Sequence, residues 1–246
     1  MCAGSQARVR WGWLTVRDII DRAALFRAMP VDARAALARA ARPRRFRAGQ
    51  FIWRVGDPED GLHVVASGLV RIELMGPDAE EVVLHVVGPG ECLGEPSIYS
   101  PEGDRRTDCR AAAAATIVSV PGDPVRAVLE RSPEAMRVFV RRVSEIARAH
   151  ARRVALTAFH DARGRLARLL LDLADSHGVP APRGRKIALP LSQRTLAGLV
   201  SLRRESVNRL VAAFERDGAL VWEDGFVTIL RPQLLRAALG IEAALP

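Results

Sequence analysis

Residues 191–217 read Leu191-Ser-Gln-Arg-Thr-Leu-Ala-Gly-Leu-Val-Ser-Leu-Arg-Arg-Glu-Ser-Val-Asn-Arg-Leu-Val-Ala-Ala-Phe-Glu-Arg-Asp217. Ser192 stands where a helix N-cap belongs, ahead of Leu196, Leu199 and Val200 on one helical face. A tight break is expected near Ser201-Leu202. Beyond it Val207, Leu210, Val211 and Phe214 fall at i, i+3, i+4 and i+7, leaving Arg204, Glu205, Asn208 and Arg209 on the opposite face near the helix start. Two short helices joined tightly predict a helix-turn-helix, whose second helix enters a major groove by its first turns. The residue types suit base reading: arginine donates two hydrogen bonds to guanine O6 and N7, and glutamate accepts from cytosine N4. A carboxylate among arginines is poor chemistry for phosphate contact alone, because it repels the backbone. Glu205 therefore reads as a base contact flanked by Arg204 and Arg209. The competing reading is a solvated Arg/Glu face with internal ion pairs. The capped helix and tight turn ahead of it weigh against that.

Outward from this segment, Leu220 to Leu230 reads as a hairpin turning at Asp224-Gly225, the wing of a winged helix. Glu223 and Asp224 at its tip predict no strong phosphate contact there. Residues 177–190, with Pro180, Pro182, Gly184 and Pro190, read as a loop, and Gly164 to Asp175 as a helix. Further upstream, Ser132-Pro133-Glu134 has the parts of a helix start: a capping hydroxyl, proline at the first position, an acid in the first turn. Met136, Phe139 or Val140, Val143, Ile146 or Ala147, and Val154 then recur at alternating three and four spacing. About 30 residues of helix is ~45 Å, longer than a small domain's core covers. The excess apolar seam predicts pairing with the same helix of a second copy. A different face of the helix can pack on its own sheet domain.

From Arg45 to Val120 the pattern turns to short β-favouring stretches: 51–53, 62–66, 69–74, 82–87 and 116–120. Glycines, many beside Asp or Pro, separate them, which predicts an antiparallel sandwich or barrel. Residues 19–42 read as a short helical lead-in. The expected domains are therefore 1–131, 132–161 and 162–246, in an α+β architecture.

The chain has 246 residues and a net charge of +9. Residues 1–130 balance 17 arginines against 17 acids, whereas residues 131–176 carry 10 arginines against 5 acids and residues 177–246 carry 10 basic residues against 6. The whole excess lies in the last 116 residues. Only the back half is expected to meet a polyanion. Lys186 is the single lysine, so the composition favours arginine throughout, but that bias acts on both halves. No apolar run approaches the ~18 residues of a spanning helix, and Met1 to Arg17 lacks the apolar stretch of a signal peptide. The expectation is a cytoplasmic chain without membrane contact. Cys2, Cys92 and Cys109 are too few for a disulfide framework or a cysteine metal site. No nucleophile elbow or phosphate-binding glycine loop is present, and the histidines show no metal spacing, so neither catalysis nor a metal is expected.

With these segments in place the chain resembles the cyclic-AMP receptor protein (Crp/Fnr) family of bacterial transcription regulators over about residues 22–235. The likeness rests on Gly49 to Val70 with its Gly-Asp-Pro turn, Gly88-Pro89-Gly90, Gly94-Glu95, the long helix ending in Phe159-His160-Asp161, and Arg204-Glu205-Ser206-Val207-Asn208-Arg209. It implies a cyclic-nucleotide-binding-like β-roll, a dimerising helix over 133–160, a winged helix-turn-helix on a palindromic operator in double-stranded DNA, and RNA polymerase as a partner. Members with the Arg-Glu…Arg triplet resemble readers of TGTGA-like half-sites, a role carried here to Arg204, Glu205 and Arg209. Ser206, Asn208, Arg203, Ser192 and Gln193 complete the expected DNA-contacting set. Where the family has a serine capping the recognition helix, this chain has Arg203. That forgoes a cap worth ~1 kcal/mol and adds a phosphate contact.

In ligand-binding relatives a Gly-Glu pair opens a phosphate cassette and an Arg-Ser/Thr pair about ten residues later grips the cyclic phosphate. Gly94, Glu95, Arg106 and Thr107 match it, with Pro96 where a larger apolar residue is usual. The adenine-contacting Thr-Ser pair of the long helix is replaced by His150-Ala151, of which His150 can still hydrogen-bond a base and Ala151 cannot. A cyclic nucleotide, cyclic AMP or cyclic GMP, is thus one candidate effector, and no cofactor is required. The alternative within the roll is that Glu95 and Arg106 form an internal ion pair. An iron–sulfur version would need an N-terminal cysteine cluster, and His85 and Cys92 read as ordinary strand and loop residues rather than haem ligands. The rival for the whole chain is a ligand-sensing module that signals through protein contacts and carries a non-reading head.

Overall fold

The computed structural model describes residues 14–76 and 81–239. Residues 1–13, on which much of the signal-peptide expectation rests, lie outside them. The chain divides into two compact units. One comprises the residues up to Val70 together with Val87–Ala147, the other Arg71–Val86 together with the residues from Arg148 onward.

The first unit opens with α1 (Val16–Arg22), α2 (Ala24–Arg27) and α3 (Val31–Ala40), the expected lead-in. Thr15 and Asp18 start α1 as a capping box: the Asp18 amide donates to the Thr15 hydroxyl (3.2 Å), and the Thr15 amide donates to the Asp18 carboxylate (2.8 Å). β1 (Arg42–Phe46), β2 (Phe51–Trp53) and β3 (Gly61–Ser67) follow. β4 (Val70–Met75) and β5 (Glu81–Val87) lie almost wholly in the second unit, and the chain returns with β6 (Cys92–Leu93), a 3-10 turn at Glu95–Ser97, β7 (Asp108–Ala111), β8 (Ala115–Pro121) and α4 (Gly122–Arg131). One antiparallel sheet has the order β1-β8-β3-β6. β2 pairs with β7 across a bulge between Phe51 and Trp53. Three of these strands, β1, β6 and β7, fall outside the stretches read from sequence. They are short or polar (Arg42-Pro-Arg-Arg-Phe46), so pairing rather than propensity makes them strands.

The long helix α5 (Pro133–Phe159) has 27 residues, about 40 Å. The Ala135 amide donates to Ser132 Oγ (3.3 Å), so the expected cap is in place. Two faces separate along it. Ala135 and Phe139 are buried in a core with Ile20, Phe26, Leu37, Leu62, Val118 and Leu129. Val140, Ala147, Ala151, Val154 and Ala158 are exposed, with Ser144 half-buried among them, at spacings alternating four and three.

The second unit contains the β4–β5 hairpin and, after α5, α6 (Ala162–His177), β9 (Gly178–Ala181), β10 (Gly184–Ile187), α7 (Gln193–Val200), α8 (Arg204–Arg216), β11 (Leu220–Glu223), β12 (Phe226–Ile229) and α9 (Pro232–Ala237). Its antiparallel sheet runs β11-β12-β10-β9. The loop expected over 177–190 is thus corrected: it holds the β9–β10 hairpin, with Pro180 opposite Arg185. β9 is an edge strand and tolerates proline, because half of its amides have no ladder partner. Asp224 and Gly225 take positive φ (52° and 80°), which makes the tight turn of the wing. Among the described residues no helix is long and apolar enough to cross a membrane.

Candidate nucleic-acid interface and effector residues

The helix-turn-helix of α7 and α8 is assembled by local chemistry. Ser192 has extended backbone, and its hydroxyl accepts from the Thr195 amide at 3.0 Å, which starts α7. Thr195 through Val200 are all buried, so after its first two residues α7 is enclosed on all sides. Ser201 adopts a left-handed conformation (φ 51°, ψ 52°), and the Leu202 amide returns to the Ala197 carbonyl at 3.0 Å. That closes the turn in the manner of a helix C-cap. Left-handed backbone costs a non-glycine residue ~1–2 kcal/mol, so the turn is held by the packing on both sides.

Arg203 is the N-cap of α8, and no side-chain cap bond forms there, as its chemistry dictates. Val207, Val211 and Phe214 are buried and Leu210 is half-buried, which places α8's other face outward. Arg204, Glu205 and Arg209 are exposed on the first two turns, with Ser206 and Asn208 half-buried between them. Arg204 Nε lies 3.5 Å from Gln193 Oε1, and Arg209 Nη2 lies 3.4 Å from Ser206 Oγ. Among the described residues Arg204, Glu205 and Arg209 enter no ion pair. The buried Oδ1 of Asn208 has no hydrogen-bond partner there either. In the wing, Glu223 and Asp224 are exposed, and the Trp222 amide donates to Glu215 Oε1 at 3.0 Å.

In the first unit Gly94 has φ 98°, and a Cβ there would stand 2.9 Å from both Arg105 Nη1 and the Gly61 carbonyl. Only glycine fits, and the turn carries Glu95 and Pro96 behind it. Glu95 is fully buried. Burial pushes its carboxyl above the ordinary range, and Arg142 on α5, 3.2 Å from Nε to Oε1, pulls it partly back. Arg142 is itself raised: burial lowers it, but Glu95, Glu91 and Cys92 together outweigh burial. The two residues line a cavity of about 310 Å³ with Leu25, Cys92, Val138 and Arg141.

Arg106 lies elsewhere. Its side chain is 64% exposed, with Asp104 at 3.1 Å and Glu102 at 3.5 Å. The internal ion pair weighed between Glu95 and Arg106 is therefore not formed; each has other partners. Thr107 accepts through its carbonyl from Trp53 Nε1 (2.8 Å). The arginine that reaches the Gly94 turn is the neighbouring Arg105, buried, donating to Gly61 O (2.8 Å) and Asp60 (2.6 Å) and stacked over Trp53 at 4.4 Å. Sequence reading passed over Arg105 and Arg142. Arg105 was visible as the first of two adjacent arginines ten and eleven residues after Glu95, whereas Arg142 left no local signal.

In the second unit His150, on α5, is half-buried with its ring 5.9 Å from that of His85. Burial, aided by Arg153, keeps it below the ordinary histidine range. Among the described residues no cluster of His, Cys, Asp and Glu could hold a metal ion.

Comparison with known proteins agrees with this arrangement. Residues 43–132 match the family model of the cyclic nucleotide-binding domain, and residues 164–238 that of the Crp-like helix-turn-helix domain. The CRP-like cAMP-activated global transcriptional regulator of Mycobacterium tuberculosis is 31% identical over 212 residues, 86% of this chain and 94% of that protein. The CRP-like protein Clp of Xanthomonas campestris pv. campestris is 28% identical over 183 residues, 72% of this chain and 79% of Clp. The structure of the c-di-GMP responsive global regulator CLP of Xanthomonas campestris superposes with a TM-score of 0.66 at 25% identity, covering 81% of this chain and 99% of that one. FixK2 of Bradyrhizobium japonicum shares the fold with a TM-score of 0.73 at 18% identity, over 84% of this chain and 99% of that one. From its helix-turn-helix to its buried Gly94-Glu95 turn, the chain belongs to the Crp/Fnr family of transcription regulators.

Proposed function

We propose that α8 reads the major groove of a palindromic operator with TGTGA-like half-sites, Arg204 and Arg209 contacting guanines and Glu205 a cytosine. The observation that carries this is the outward presentation of all three on the first two turns of α8, without an ion pair among the described residues. Ser192, Gln193 and Arg203 flank them as backbone contacts, with Ser206 and Asn208 between. The chain acts as a homodimer through the exposed face of α5. Two copies place two reading helices about one helical turn apart. RNA polymerase is the partner that a regulator of this family addresses from its operator.

The decisive experiment is selection of duplexes from a random pool, followed by titration against the selected site and an unrelated duplex. The wild type should select an inverted repeat. Arg204→Ala should lose ~1–3 kcal/mol on the site and relax one base position. Equal affinity for both duplexes, collapsing with salt, would instead indicate a non-reading head that signals through protein contacts.

A second reading concerns the effector. The cyclic nucleotide-binding segment and the cAMP-activated relative favour a cyclic nucleotide. Glu95 suits a ribose hydroxyl and Arg106-Thr107 a cyclic phosphate by chemistry. By geometry Glu95 is engaged by Arg142, and Arg106 by Glu102 and Asp104. Both must change partners to take the ligand. Calorimetry against cyclic AMP and cyclic GMP, with Arg106→Ala as the control, tests it.

A further inference from the structure

Within the second unit the β4–β5 hairpin is fastened to α7. Glu81, the first residue of β5, takes Arg194 in a two-pronged ion pair, Oε1 to Nη2 at 2.6 Å and Oε2 to Nε at 3.1 Å. Glu81 is held in turn by Arg71 at 3.0 Å, and Arg71 by Glu73 at 2.6 Å. Arg71 and Glu73 are buried, so the chain of charges is fixed at its root rather than carried by two mobile surface side chains. The backbones also approach closely. A Cβ on Gly198 would stand 2.5 Å from Val83 Cγ2, so α7 lies against β5 at a separation that glycine permits. At the other end of α7, Arg153 donates to the Gly198 carbonyl at 2.6 Å and to the Leu199 carbonyl.

α7 is the helix that seats the reader, and Arg194 follows directly on Ser192 and Gln193 at its start. Its side chain is 66% exposed, yet its charge is taken up by Glu81. A phosphodiester and a carboxylate make the same two-pronged demand on a guanidinium. We propose that Glu81 acts as a built-in phosphate mimic, withholding Arg194 from the DNA backbone and so holding the reading head in check. The exposure of Arg194 leaves the pair open to displacement by a duplex phosphate. This inference rests on the reading of α8 given above, and adds to it a backbone contact and a brake on that contact.

The test is operator affinity across a salt series for wild type, Glu81→Gln, Arg194→Gln, the double variant and Arg204→Ala, each checked for native unfolding. Glu81→Gln should tighten binding roughly fivefold or more. Arg194→Gln should weaken binding and make the log–log salt slope shallower by about 0.9, one phosphate contact. The decisive arm is the double variant: with Arg194 gone, removing Glu81 should bring no gain. Wild-type affinity in Glu81→Gln, an unchanged slope in Arg194→Gln, or a gain that persists in the double variant would each overturn the proposal. If Arg204→Ala loses specificity while Glu81→Gln does nothing, the brake alone fails. If Arg204→Ala keeps wild-type specificity, the reading of α8 fails instead.

Discussion

Glu95 Oε1 and Arg142 Nε stand 3.2 Å apart, the carboxylate buried and the guanidinium about two-thirds covered. Removing two charges from water is costly, and their attraction offsets it only while both are present. The pair also ties the turn after β6 to α5.

Arg142→Ala is expected to destabilise the protein by ~3 kcal/mol, the low end for breaking a buried pair, because Arg142 keeps some solvent contact. Adding Glu95→Gln should recover much of that loss, since no uncompensated charge remains. Chemical unfolding of the four members of this cycle measures it. A pH dependence accompanies it. The buried Glu95 carboxyl holds its proton above the ordinary value of 4.5, so folding takes up a proton there. Its contribution to stability is therefore largest below 4.5 and declines as pH rises through the higher folded value. Glu95→Gln should flatten that decline.

His63 gives the opposite slope. Burial depresses its pKa below 6.5, although Asp60 at 3.1 Å partly supports the charged form. The unfolded chain then protonates first, and stability is lost as pH falls from about 6.5 toward the folded value. Unfolding followed from pH 7 to 5 should show this loss. His63→Gln, which keeps a side-chain partner for Ser119, should remove it.

Arg203→Ser supplies the missing cap of α8. It should stabilise the protein by ~1 kcal/mol in thermal unfolding. If Arg203 also touches a phosphate, the same substitution should make the salt slope of DNA binding shallower by about 0.9. The two readouts separate the structural from the electrostatic effect at one position.

Where local chemistry decides the structure, the sequence was legible. Ser192 caps, Ser201 breaks, Asp224-Gly225 turns, and the 207/211/214 stripe faces inward, each from a few adjacent residues. The sequence was silent where partners lie far apart in the chain. Nothing near Glu95 points to Arg142, 47 residues on, and nothing near Arg194 points to Glu81, 113 residues back. Pro180 misled in β9 because edge position, a tertiary fact, decides whether proline is tolerated. The apolar residues of α5 mixed two faces in one spacing pattern, and only packing sorted Phe139 from Val140.

The sorted faces of α5 carry the last prediction. Val140, Ser144, Ala147, Ala151, Val154 and Ala158 repeat at four and three, the spacing of a two-helix seam. Four of the six are Ser or Ala, which allow two helices to approach closely, and Val154 stands 69% exposed in the single chain. A valine so exposed contributes little to the folded monomer, but would gain ~0.8 kcal/mol for each CH₂ buried against a second copy. Val154→Glu should therefore leave each chain folded while two carboxylates face each other across the seam. Light scattering is expected to show dimers for the wild type and monomers for the variant. Operator binding by the variant should lose its dependence on both half-sites together. A dimeric Val154→Glu, or a monomeric wild type at micromolar concentration, would remove α5 as the dimer contact and with it the spacing argument for a palindrome.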